Sequence, residues 1–157
     1  MRAVSSCLFL LLMVPVVATR ADDAVEFRVL DVQQGTPELS APADLVIRDE
    51  RQWCEFVAAT LSPVPCDEFG IDFGREVVIA SAIGARPNGC YSVAIRSITK
   101  IRRPRRLQVI VAELFPGRGC TIACTQAIVY PVAAVVVSKP VGRVEFLHQQ
   151  VSRSCPR

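Results

Sequence analysis

Apolar positions in this chain recur mainly at every second residue, and one stretch alone has a helical period. Residues 25–32 (VEFRVLDV) alternate apolar and polar, as a strand with one wet face does. Residues 33–42 carry Gly35, Pro37 and Pro42 and read as loop. Residues 44–48 (DLVIR) give a second short strand. Asp49 then stands as a helix N-cap, with Gln52 three positions on to complete a capping box. Behind it Trp53, Phe56, Val57 and Leu61 share one helical face, until Ser62-Pro63 ends the helix. A loop bearing Pro, Asp and Gly leads to Gly74.

From there the pattern is β. Residues 76–83 (EVVIASAI) form an unbroken run rich in β-branched residues, expected of a central strand buried on both faces. Residues 84–89 (GARPNG) are a turn by composition, and 91–98 (YSVAIRSI) a strand. A basic connection, 99–106, precedes a strand at 107–114 (LQVIVAEL) and a turn at 115–119 (FPGRG). Residues 126–138 (QAIVYPVAAVVVS) are one long strand or two, because Pro131 has no N–H for the ladder. Residues 143–148 close the set. The expected fold is α+β: an antiparallel β-sheet or sandwich of about seven strands with one packed α-helix. If the strands from Glu76 onward run up and down as neighbours, the 84–90 turn, the 115–125 segment and the tail share one end. The basic connection then lies at the other.

The N-terminus changes the picture. Arg2, an apolar run over 8–17 broken only by Pro15, and small residues at Ala18, Thr19 and Ala21 have the layout of a secretory signal peptide. Residues 1–21 are therefore expected to be removed, leaving 22–157 as a single periplasmic or secreted domain. The run falls short of the ~20 residues a bilayer span needs, so no stable membrane insertion is expected after cleavage. The chain has 18 basic and 15 acidic residues, and Arg2 and Arg20 leave with the leader. A mature charge near +1 gives no reason to expect a nucleic-acid partner.

Of seven cysteines, Cys7 leaves with the leader, and Cys54, Cys66, Cys90, Cys120, Cys124 and Cys155 remain. An even count in an exported chain reads as disulfides. Chain order favours Cys54 with Cys66, Cys90 with Cys120 or Cys124, and the remaining one with Cys155. The alternatives are a zinc site, with Cys155 as the fourth ligand beside Cys90, Cys120 and Cys124, or a redox pair in CTIAC. Redox pairs normally stand as C-x-x-C at a helix start, and this spacing is longer. Structural bridges are preferred, and neither metal nor cofactor is expected.

Other chemistry is sparse. His148 is the single histidine and has no motif around it, which reads as a surface or satisfied residue. The acids Asp67, Glu68, Glu113 and Glu145 form no recognisable carboxylate pair. Lys100, Arg102, Arg103, Arg105 and Arg106 put five charges in seven residues without interleaved aromatics. They read as a solvated hairpin tip, with a polyanion grip as the alternative. Arg86, Asn88 and Tyr91, on a turn stiffened by Pro87 and flanked by Arg118 in the next loop, are the candidate binding residues. Arg and Tyr are frequent interface anchors. Whether Tyr91 faces out or packs inward stays open.

Several blocks taken together resemble the C-terminal domain of the PrcB family. They are Ile47-Arg48-Asp49 before Trp53, Ile71-Asp72-Phe73 leading into Glu76-Val77-Val78-Ile79-Ala80, and Arg86-Pro87-Asn88-Gly89-Cys90-Tyr91-Ser92-Val93. Pro116-Gly117-Arg118-Gly119-Cys120, Pro131 and Val144-Glu145-Phe146 follow, so the likeness covers about residues 45–147. It implies an extracytoplasmic, non-catalytic domain; the family's namesake stabilises a protease complex. Cys90 replaces a glycine usual in the family, and Cys124 and Cys155 look like additions. The expected function is an exported, non-enzymatic protein-binding domain whose partner is another extracytoplasmic protein, a protease among the candidates. The alternatives are a protease inhibitor presenting the 86–91 and 116–120 loops, or a thiol protein using Cys90, Cys120 and Cys124.

Overall fold

Burial of both faces of one sheet organises the chain into three layers. The computed structural model describes residues 23–117, 124–139 and 141–153. The expected signal peptide, Arg118, Cys120 and Cys155 lie outside the described residues. Eight strands and one α-helix occur among those described: β1 (Asp23–Ala24), β2 (Arg28–Leu30), β3 (Pro42–Ile47), α1 (Glu50–Ala58), β4 (Glu76–Ile83), β5 (Ser92–Ile101), β6 (Arg106–Pro116), β7 (Val132–Ser138) and β8 (Arg143–Arg153). The outer sheet has the order β1-β5-β6-β8 and the central sheet β2-β7-β4-β3. This is the expected α+β sandwich with one helix.

The inner strands of the central sheet, β4 and β7, are dry on both sides. Val77 and Ile79 of β4, with Val135 and Val137 of β7, meet Ile95, Ile98, Leu107, Val109 and Val111 of the outer sheet. Their alternates Val78, Ala80, Ala134 and Val136 meet Trp53, Phe56 and Val57 of α1. Each Val, Ile, Leu or Phe side chain among them contributes about 1.5–3 kcal/mol when fully buried, the two alanines less. The unbroken apolar run over 76–83 thus has the position its composition demanded.

Asp49 caps α1 as expected: its carboxylate accepts the Gln52 N–H at 2.9 Å, and the Gln52 side chain reaches back to the Arg48 N–H at 3.1 Å. Trp53 is fully buried and donates from Nε1 to the Cys66 carbonyl at 3.0 Å. Cys54 is bridged to Cys66, with Cα atoms 5.0 Å apart across a separation of 12 residues. A loop of about that size is worth roughly 3 kcal/mol in the chain-entropy picture.

Four expectations need correction. Strands β4 to β8 alternate in direction, yet they are not neighbours in one meander. β4 pairs with β3 and β7, the β5–β6 hairpin belongs to the other sheet, and β8 lies parallel to β6. Alternation says which face is dry, and a β4 dry on both faces leaves its neighbours open. The strand expected at 25–32 shrinks to β2, which pairs with β7; β1, just before it, pairs with β5, so the chain crosses from one sheet to the other between them. Along that crossing Val25 and Phe27 enter the inter-sheet core, while Leu30 and Val32 enter the helix-side core. The basic stretch 99–106 is not all connection: residues 99–101 and 106 are strand, and only 102–105 form the turn. Finally, the break expected at Pro131 is there, but residues 126–131 before it form no strand, and β8 runs beyond the expected 148 to Arg153, because β6 offers it a partner along its whole length.

Replacing Ile79 with Ala should lower unfolding free energy by about 2–5 kcal/mol. Asp49→Ala, which removes only the cap, should cost about 1 kcal/mol. Urea midpoints at an unchanged slope measure both, and equal costs would contradict this layer order.

Candidate functional site

Two connections between the sheets, residues 84–91 and the described part of the β6-to-β7 link, 124–131, meet at one end of the sandwich. Cys90 and Cys124 join them through a disulfide with Cα atoms 5.3 Å apart. Arg86 and Val129 exchange both backbone hydrogen bonds, at 2.8 and 3.0 Å, and the Gly89 N–H donates to the Thr125 carbonyl at 2.9 Å. Asn88 accepts the Cys90 N–H on its side-chain oxygen at 3.0 Å, which closes the turn locally. Gly84 makes the exit from β4 possible: its φ is +75°, and a Cβ there would lie 2.8 Å from the Ser40 carbonyl oxygen. This end is pinned.

Beside the turn is a hollow of about 290 Å3 lined by Ile83, Arg86, Tyr91, Glu113, Phe115 and Gln150, among others. Tyr91 is half-buried and faces it. Arg86 is not a free anchor. Its guanidinium donates to Glu113 at 3.4 Å and to the Ala85 carbonyl at 3.1 Å. Two large apolar side chains are exposed at the same end, Ile128 next to Val129, and Leu61, whose N–H donates to the Gln34 carbonyl. Gln34 in turn bridges Pro131 at the mouth of β7.

Sequence reading missed the cluster behind the hollow. On the inward register of β6 and β8, apolar positions give way to polar ones: Leu107, Val109, Val111, then Glu113, beside Val144, Phe146, then His148 and Gln150. Asp44 of β3 lies opposite Ser81 of β4, whose buried hydroxyl donates to it at 2.7 Å. His148 spans the two sheets, with Nδ1 2.8 Å from Glu113 and Nε2 3.0 Å from Asp44. Partial burial pulls the His148 pKa down, but hydrogen bonds and charges from Asp44 and Glu113 outweigh it, and the net shift is upward from the usual 6.5. A neutral imidazole has one N–H, so satisfying carboxylates on both nitrogens requires the imidazolium. The two acids flank opposite nitrogens and do not converge on one point. Among the described residues no group of His, Cys, Asp and Glu is arranged to hold a metal ion. The available signal was the polar residue on an apolar register.

Of the expected binding residues, Arg86, Asn88 and Tyr91 do come together at the pinned end. Arg86 and Asn88 are committed to internal partners, and Tyr91 keeps a face toward the hollow. His148 is satisfied as expected, by two acids distant in sequence. At the opposite end Arg102 is paired with Asp23 through contacts of 2.6 and 3.0 Å, and Arg106 with Glu145 at 2.6 Å. Arg103 and Arg105 remain exposed at the tip.

Fold and site together define a disulfide-pinned β-sandwich domain with a helix layer. Residues 77–138, from β4 through β7, match the family model of the PrcB C-terminal domain. The match bears out the resemblance, over a shorter span than the residues 45–147 that its series of blocks covers. Neither the curated proteins nor the solved structures yield a match. The family suggests association with a protease complex, and the disulfides fit an extracytoplasmic setting. No helix among the described residues is long and apolar enough to cross a membrane.

Peptide mapping without reduction should recover Cys54 linked to Cys66 and Cys90 linked to Cys124. Cys90 recovered as a free thiol, or joined to Cys54, would contradict the pinned end.

Proposed function

We propose that this is an exported, non-catalytic domain that binds another extracytoplasmic protein, a protease-complex component, through its disulfide-pinned end. The observation that carries this reading is the pinned turn itself, with Ile128 and Leu61 exposed and the Tyr91 hollow beside it. A turn ordered before binding loses less entropy on association, so a few anchors suffice for affinity. Exposed apolar side chains around a small concavity are the usual anchor arrangement.

The polar cluster supports a binding role over catalysis. Ser81 donates to Asp44, not to His148, and both ring nitrogens of His148 face carboxylates. A nucleophile would need its hydroxyl or thiol on the base. The thiol reading is weakened in the same way: Cys90 is buried and bonded to Cys124, and neither stands at a helix start.

The test is affinity capture from an envelope extract with the oxidised domain as bait. Ile128→Asp and Tyr91→Ala should each reduce recovery of the captured protein by about tenfold or more, the cost of losing an interface anchor. The paired substitution Arg103→Ala with Arg105→Ala, at the opposite end, should leave recovery unchanged. Recovery that survives the first two changes and disappears with the arginine pair would overturn the proposal.

A further inference from the structure

The sandwich has two open sides, and one of them is fastened by charge. On that side β8 is the edge of the outer sheet and β3 the edge of the central sheet. Backbone hydrogen bonds cannot join the two edges, because they belong to separate sheets. The link between them is the His148 side chain, with Glu113 and Asp44 on its two nitrogens. The groups facing His148 come from every neighbouring element. β3 brings Asp44, β4 brings the Ser81 hydroxyl behind it, β6 brings Glu113, the 84–91 crossover brings Arg86 behind Glu113, and β8 itself adds Gln150 at the hollow.

We propose that the His148 imidazolium is a protonation-operated clasp that holds the β3 and β8 edges together beside the pinned end, so that losing one proton loosens the binding surface. The inference rests on the protein-binding reading above for its function, though not for its mechanism. Deprotonation leaves one N–H for two carboxylates, so one contact becomes a lone pair against an anion. Glu113 keeps Arg86 and Asp44 keeps the Ser81 hydroxyl, so either acid tolerates the loss. The contact the structure can least replace is the one to Asp44, since it alone spans the two sheets within the cluster. Glu113 and Gln150 line the hollow, so the change reaches the Tyr91 side directly.

The sign follows from the upward shift. A histidine whose folded pKa is raised stabilises fully below its unfolded value of about 6.5, and that contribution is lost as pH rises through the folded value. High pH opens the clasp and low pH closes it.

His148 is the single histidine in the chain, so its imidazole resonances in the untagged protein report this site alone. The expected result is a midpoint above 6.5, with amide protection in residues 42–47, 84–91 and 143–153, taken relative to the unstructured exchange rate at each pH, falling several-fold across the same midpoint while β4 stays protected. His148→Gln should be fast-exchanging in those segments at every pH, and Asp44→Asn should move the midpoint down. An ordinary or lowered midpoint, or exchange in those segments indifferent to it, overturns the clasp. These measurements need no partner, so a failed capture experiment leaves their result standing. With the captured protein in hand, wild-type binding should fall across the midpoint and the His148→Gln binding should stay level. Wild-type binding that is constant across the midpoint overturns the coupling to function.

Discussion

Burial of both faces of the central sheet is the constraint on which the other features depend. β4 and β7 present Val77, Ile79, Val135 and Val137 to the outer sheet and Val78, Ala80, Ala134 and Val136 to the helix layer. A sheet dry on both sides needs a cover on each, so the β5–β6–β8 layer and α1 are obligatory partners of the same two strands. It also forces the chain to leave the central sheet after β4 and return for β7. The departure through 84–91 and the return through 124–131 fall at one end because β4 and β7 are antiparallel neighbours.

The pinned end follows from that topology. Two crossovers side by side expose loop backbone that no ladder satisfies, and the Arg86–Val129 bridge, the Asn88 turn and the Cys90–Cys124 disulfide supply the missing order. The inter-sheet core runs out at the same place. Where the apolar register of β6 and β8 reaches Glu113 and His148, burial is partial, and polar groups persist only because each finds a charged or hydrogen-bonding partner. Stability and the candidate site are therefore neighbours along the same strands. The dry half holds the sheets together, and the polar half leaves room for a hollow and a titratable contact.

The opposite end has a different character. The hairpin tip looks strongly basic in sequence, but Asp23 and Glu145, distant along the chain, take Arg102 and Arg106 into ion pairs. The largely exposed Arg102–Asp23 pair contributes little to stability. The effect of both pairs is to reduce the free charge of the tip, which supports placing recognition at the pinned end.

Local pattern determined what local forces decide. The Asp49 cap, the Trp53–Phe56–Val57 face, the doubly buried run at 76–83, the break at Pro131 and the turn at 84–89 all follow from side-chain period, capping and φ restrictions within a few residues. Cys54 with Cys66 was legible because the helix and the loop after it keep them close in sequence. Sheet membership was not legible, since the alternation of 25–32 or 91–98 is the same whichever sheet receives it. Nor was the polar cluster: Asp44 and His148 lie 104 positions apart, and nothing in either neighbourhood announces the other. Their contact exists because β3 and β8 end as facing edges of different sheets. That is a property of how the two dry faces pack, and only the tertiary structure decides it.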